Sequence, residues 1–192
     1  EIREELEIMI AAAFDTTAIQ LENILILLGS YPKIQERVYK EIIQVIEDLQ
    51  KLVYTEAVIK ETLRLQPVVP FILRTAHENV KLSKYIGSHA LIMLYGINRD
   101  PSWGPDADQF RPERWLEPGG VPSNRSGFAS FSIGKRDCLG KTHALIQLKV
   151  TLAHFVRKYQ IKADITKIQF KLDVLCKPAK GNEISLKSRN TS

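Results

Sequence analysis

A chain of 192 residues, 44% apolar and 26% charged, has material for a sizeable core and is neither disordered nor collagen-like in composition. Its net charge of +5 comes from cations scattered among acids, so the basic block with interleaved aromatics that suits nucleic-acid binding is missing. Two cysteines, Cys138 and Cys176, are too few for a disulfide framework and fit a reducing compartment, although a single bridge stays open; no signal peptide or unbroken apolar run of about 18 residues is legible.

Residues 2–28 read as one long helix, with Ile2, Leu6, Ile10, Phe14, Leu21, Leu25 and Leu28 at helical spacing and Gly29, Ser30 and Pro32 as its stop. The pattern begins at Glu1 without a cap, so further residues are expected upstream. In its middle, Asp15, Thr16 and Thr17 interrupt the apolar run. Thr16 shares a face with Ala12 and Ala13, which makes a shallow groove beside a proton-bearing group, or equally an Ala-rich helix crossing with a satisfied Thr. Ile34, Val38, Ile42, Val45 and Leu49 predict a second helix after Pro32. A third runs from about 55 to 65, burying Val58, Ile59, Thr62 and Leu63. Glu61 and Arg64 lie i, i+3 on it, a spacing that chance produces easily.

Pro67 and Pro70 end that helix, and strand-like runs at 71–76, 79–84 and 90–95 predict a small antiparallel sheet. Residues 98–101 form a turn. Residues 103–120 show no period and are expected to be irregular and pinned by side chains, with Arg114 and its five donors as the candidate anchor. A helix is expected from Leu139 to about Lys158, packing through Leu145, Leu148, Leu152, Phe155 and Val156. Short strands should follow over 160–186, with fraying from Lys187.

The densest stretch is 131–140, FSIGKRDCLG, where a loop becomes the last helix. Helix N-terminal N–H groups, together with Lys135 and Arg136, would favour a thiolate at Cys138. Gly134 and Gly140 would allow a tight turn or close approach to something flat, and Phe131 supplies an apolar plate. On local chemistry alone, Cys138 is either a metal ligand or a buried structural cysteine.

Together these stretches resemble the cytochrome P-450 family of haem-thiolate monooxygenases. Phe131, Gly134, Arg136, Cys138 and Gly140 meet its Phe-x-x-Gly-x-Arg-x-Cys-x-Gly loop, Glu61 and Arg64 its Glu-x-x-Arg helix, and Pro112, Glu113 and Arg114 its Pro-Glu-Arg segment. Ala12, Ala13, Phe14, Asp15, Thr16 and Thr17 match the oxygen-groove helix, with Ala13 where Gly is usual. The resemblance covers the whole chain, residues 1–192 as one partial domain. It corresponds to the C-terminal, haem-binding part of a mainly α fold with small β-sheets (α+β), with the N-terminal half absent.

The resemblance implies haem b (iron protoporphyrin IX), with Cys138 as axial ligand and Phe131, Gly134, Arg136 and Gly140 around it. Arg136 and Arg74 would meet the haem propionates, and Asp15 and Thr16 would manage protons during dioxygen activation. Glu61, Arg64 and Arg114 would form a buried network holding the cysteine loop, and Phe14, Val68, Val69 and Ile72 would face substrate. The implied reaction inserts one oxygen atom from dioxygen into a small apolar organic molecule. Electrons would come from a flavoprotein reductase or an iron–sulfur donor docked at Lys135, Lys141 and Lys149, unless those lysines are an ordinary solvated face. Nucleic acid is no partner, and membrane contact is expected only through an N-terminal anchor outside this sequence. The location is the endoplasmic reticulum membrane if the full-length form is a eukaryotic family member. The departures are Ala13, a connection between the second and third helices about ten residues short, and a short final hairpin around 174–183. Competing readings are a haem-thiolate isomerase or dehydratase, against which Asp15 and Thr16 argue, and a truncated non-catalytic fragment.

Overall fold

The computed structural model describes residues 1–45, 48–76 and 89–189. Apolar periodicity produces the helices, and their shared faces produce one core. Helix α1 (Ile2–Ser30) buries Ile24, Leu27 and Leu28 against Val38 and Ile42 of α2 (Pro32–Val45) and Val58, Ile59 and Leu63 of α3 (Val53–Leu65). Leu148, Leu152 and Val156 of α5 (Lys141–Lys158) complete that core. Between α3 and α5 lie strands β1 (Phe71–Thr75) and β2 (His89–Met93), then a single helical turn, α4 (Leu94–Ile97). Strands β3 (Tyr159–Lys162), β4 (Gln169–Leu172), β5 (Cys176–Lys180) and β6 (Ser185–Ser188) follow α5. The strands form three two-stranded antiparallel sheets, β1–β2, β3–β6 and β4–β5, among the described residues. The fold is therefore α+β, with helices dominant.

Several boundaries differ from those read in the sequence. Gly29 sits inside α1 rather than ending it, and a Cβ there would lie 2.7 Å from Ala163 N, so the glycine serves the close approach of the segment after β3. Leu49 belongs to the 3₁₀ turn Leu49–Lys51, capped by Asp48, and not to α2. The run at 90–95 splits, because pairing ends at Phe71↔Met93 and Leu94 turns inward, fully buried. The expected strand at 79–84 lies outside the described residues. The last hairpin is 169–180, with its turn at 173–175, so the 174–183 placement was shifted towards the C-terminus.

Fraying does not begin at Lys187. Strand β6 pairs through Tyr159↔Ser188, and Arg189 then stacks 3.9 Å over Tyr39 and bonds Glu36 Oε2 at 3.1 Å. The side chain of Gln35 joins these parts from inside. Its Nε2 donates to Leu28 O and Ile161 O, and its Oε1 accepts from Ile161 N, each at 2.9 Å. Buried backbone groups of α1 and β3 are satisfied by one amide, which is how a buried polar residue is retained in an apolar core.

The two halves of α1 differ. Ile2, Leu6, Ile8, Met9, Ile10 and Phe14 are exposed, and the first buried position is Gln20. By length and composition α1 could cross a membrane, a pattern that no unbroken apolar run in the sequence revealed. Its second half is part of the four-helix core, which a soluble core helix also requires.

Candidate functional site

The site is built around a hub. Glu61, Arg64 and Arg114 are fully buried, and Glu61 receives five hydrogen bonds. Arg64 grips both carboxylate oxygens at 2.8 and 2.9 Å, Arg114 Nε reaches Oε1 at 2.9 Å, and Arg111 N and Trp115 Nε1 each donate at 3.0 Å. A bidentate guanidinium and three further donors compensate the desolvation of one carboxylate. The remaining donors of Arg64 hold the carbonyls of Asn98, Ala107 and Gln109 at 2.7, 2.6 and 3.2 Å. That pins the irregular 98–115 segment onto α3.

One carboxylate against two guanidinium groups leaves an excess positive charge, which Asp106 offsets. It lies 3.4 Å from Arg114 Nη1 and 2.6 Å from Arg111 Nε. Burial pushes the Asp106 carboxyl up, but the two arginines outweigh it and hold the carboxyl below its ordinary range. Glu113 anchors a second cluster: it accepts from Tyr54 Oη at 2.7 Å and pairs with Arg37 at 2.8 Å, and Arg37 stacks over the Tyr54 ring. Burial, then Glu113, push the Tyr54 phenol well above its ordinary value.

The hub reaches the cysteine loop through Asn98 and Ser130. Asn98 O takes Arg64, its Nδ2 donates to Ser130 Oγ at 3.3 Å, and Ser130 Oγ donates to Leu63 O at 3.1 Å. The loop then closes in tight turns: Ser132 N to Ala129 O at 2.7 Å, Asp137 N to Gly134 O at 3.1 Å and Cys138 N to Phe131 O at 2.8 Å. Gly134 has φ +90°, which only glycine adopts without strain. Helix α5 starts at Lys141 with Gly140 before it, so Cys138 precedes the helix rather than opening it. Its thiol is exposed.

A cavity of about 270 Å³ lies beside the loop. Ala12, Thr16, Thr17 and Gln20 of α1, Leu63 of α3, Val68, Val69, Ile72 and Leu94 line it together with Phe131, Ser132, Arg136, Cys138, Ala144 and Leu148. The structure thus brings Thr16, Val68, Val69, Ile72, Phe131, Arg136 and Cys138 to one apolar space. Thr16 Oγ1 donates to Ala12 O at 2.7 Å, the back-bonding its mid-helix position allows.

Other predicted site residues fall elsewhere. Phe14 precedes Thr16 by two residues, roughly 200° around the helix. It is 73% exposed and lines a second hollow with Ala13 and His143, so it does not face the cavity with Val68. Ala13, which the sequence places on one face with Thr16, lines that hollow as well and is absent from the lining of the larger cavity. Asp15 is exposed and outside the cavity lining. Arg74 is half-buried on β1, with Nη2 2.9 Å from Ser132 Oγ. Asp106, Trp115, Asn98, Ser130 and Ser132 were missed. Only Trp115 carried a signal, as the aromatic next to Arg114.

Lys149 is not available for docking. It is 8% exposed, 2.5 Å from Glu56 Oε2 and 3.3 Å from Leu49 O. Burial raises the Glu56 carboxyl, but hydrogen bonds from Lys149 and Lys60 overcome this and leave it below its ordinary value of 4.5. A depressed carboxylate stabilises the fold above its unfolded value and loses that contribution as pH falls through the folded value. Glu56→Gln is therefore expected to flatten the fall in thermal unfolding temperature that wild type shows below about pH 5, a value set by the ordinary glutamate range. Identical acid profiles for the two proteins would contradict this.

The donor set fits an iron porphyrin. It offers one soft sulfur ligand, apolar walls and cations at the edge, while no cluster of three or more His, Cys, Asp or Glu occurs among the described residues. Comparison with known proteins agrees. The chain is 35% identical to cytochrome P450 4V2 of Rattus norvegicus over 99% of its own length and 39% of that protein's. It is 34% identical to the Homo sapiens protein of the same name over the same shares, and 36% identical to probable cytochrome P450 313a1 of Drosophila melanogaster over 84% of this chain and 36% of that one. The chain spans about two-fifths of the length of these curated relatives. A family model described as Cytochrome P450 matches residues 1–186, and with the cysteine loop and buried hub already in place the chain belongs to the cytochrome P450 family.

Proposed function

We propose that residues 1–192 are the haem-binding part of a haem-thiolate monooxygenase, in which Cys138 would hold the iron of haem b. The observation that carries this reading is the position of Cys138 at the edge of an apolar cavity that also contains Thr16 and Arg136. Bound there, haem would supply dioxygen activation, with the Cys138 thiolate as its sulfur donor. The chain's own residues bind and orient. Phe131, Val68, Val69 and Ile72 exclude water, and Gly134 and Gly140 shape the turn that presents the sulfur. Arg136 and Arg74 neutralise carboxylates of the ligand.

Thr16 holds a proton on Oγ1, currently given to Ala12 O, and is the polar hydrogen-bonding side chain from the Asp15–Thr16 pair on the cavity wall. Asp15 acts from the solvent side and replaces protons that Thr16 delivers. Glu61, Arg64 and Arg114 hold the loop through Asn98 and Ser130. The substrate is a small apolar organic molecule. Electrons come from a flavoprotein or iron–sulfur donor, met by Lys135 and Lys141 without Lys149.

The test is a spectrum of the haem-loaded chain, reduced and exposed to carbon monoxide. A strongly red-shifted Soret band, absent in Cys138→Ala, is the expected result. Failure of the intact chain to take up haem would overturn the assignment. A second reading, haem binding without turnover, is favoured by the exposure of Cys138. It predicts the same spectrum with no oxygenated product when electrons are supplied.

A further inference from the structure

We propose that Ser132 is a positioning residue whose hydroxyl and left-handed backbone aim the Arg74 guanidinium at the rim of the cavity beside Cys138. The inference rests on the reading that Arg74 meets an anionic group of a ligand held there. Ser132 has φ +61°, and it is the non-glycine residue with positive φ among the described residues. That region is sterically unfavourable for an L-residue and persists where surrounding contacts over-determine it.

Two contacts do so. Ser132 N donates to Ala129 O at 2.7 Å, which closes the turn, and Ser132 Oγ accepts from Arg74 Nη2 at 2.9 Å across 58 residues of chain. Arg74 Nη1 also donates to Leu73 O at 2.8 Å, so two donors fix the plane of the guanidinium. No salt bridge joins Arg74 to a carboxylate among the described residues, and five N–H donors leave others for an incoming anion. Ser132 itself lines the cavity, so its hydroxyl holds the cation at the edge of that space. Without it, a long flexible side chain on a half-buried strand can turn to solvent, and a ligand carboxylate must order it anew. Glycine at position 132 would accept the positive φ, keep the loop and lose the aim, whereas alanine loses the aim and keeps the backbone penalty.

The experiment measures haem loss from the loaded chain to excess apomyoglobin in wild type, S132A, S132G, R74A and S132A/R74A. Loss is expected to be about fivefold faster in S132A, the equivalent of one net hydrogen bond. S132G should show the same acceleration while unfolding at no lower temperature than S132A, because glycine accepts positive φ. Adding S132A to R74A should change nothing further. An undiminished S132A effect in the R74A background, or unchanged loss in S132A, would overturn the proposal.

A second readout separates this from failure of haem binding. In the haem-free chain, the ¹⁵N-resolved Arg74 Nε–H signal should stand apart from the other arginines and collapse towards them in S132A. A chain that takes up no haem yet shows this collapse would sink the haem assignment and keep the Ser132–Arg74 coupling. An Arg74 signal indifferent to S132A would sink the coupling itself.

Discussion

Glu61→Gln is expected to lower the chain's stability by about 3–5 kcal/mol, the range for breaking a buried ion pair while leaving its partners in place. Two guanidinium groups with no exposure would lose their shared counter-charge, and the new amide would turn an N–H towards at least one of them. Net stabilities of small folds are about 5–15 kcal/mol, so a urea midpoint should fall by about a fifth or more. Arg3→Ala is the control. Arg3 bonds Glu7 at 2.8 Å with 90% side-chain exposure, so its loss should cost no more than about 0.5 kcal/mol despite similar geometry. Equal, small shifts for both variants would show that the hub is not a closed network.

The second large effect is Gly120→Ala. A Cβ at Gly120 would stand 2.2 Å from Arg114 O and 2.9 Å from Arg114 C and Cα, all backbone atoms that cannot rotate away. Relief requires the 3₁₀ turn Pro112–Trp115 to shift, and that turn carries Arg114 into the hub. Overpacking of this kind costs about 1–3 kcal/mol. Gly134→Ala isolates backbone strain, since a Cβ there meets nothing within 4 Å and only φ +90° resists it, at about 1–2 kcal/mol. Gly120→Ala should also weaken Gly134-independent features, above all the near-ultraviolet signal of Trp103 and Trp115, whose rings stand 5.6 Å apart. An unchanged aromatic signal would mean that the turn absorbs the methyl group without moving Arg114.

The helices were legible because α1, α2, α3 and α5 each repeat apolar residues at helical spacing, and the α+β character followed from the short runs between and after them. Boundaries were less so. Nothing at Gly29 distinguishes a stop signal from a contact with Ala163, and nothing at Lys187 reveals that Arg189 will find Tyr39 and Glu36. The hub shows a deeper limit. An i, i+3 pair looks the same on a surface as in a core, and what decides the matter for Glu61 and Arg64 is the arrival of carbonyls from residues 98, 107 and 109. Asp106 lies in a loop without period, so its charge-balancing position had no sequence signal. Cys138, Thr16 and Arg136 carry motif signals and meet at one cavity, whereas Phe14 lines the second hollow, because its neighbours in sequence are not its neighbours on a helix face.

Helix α1 is one unbroken run of hydrogen bonds with two very different supports. From Gln20 onward its amides are covered by core packing, while those up to Phe14 belong to a helix surface with six exposed large apolar side chains. Short isolated helices are marginal in water, so the first three turns should open by local fraying and the last three only with the whole molecule. Amide hydrogen exchange along this single helix should therefore show a step of several orders of magnitude between residues 10 and 24, an estimate from the spread between local and global opening. The step should fall near Thr16, where the Oγ1 bond to Ala12 O competes with the backbone for that carbonyl. A rod continuous in its hydrogen bonds would behave as two segments with separate lifetimes, divided at the residue that carries the cavity's hydroxyl.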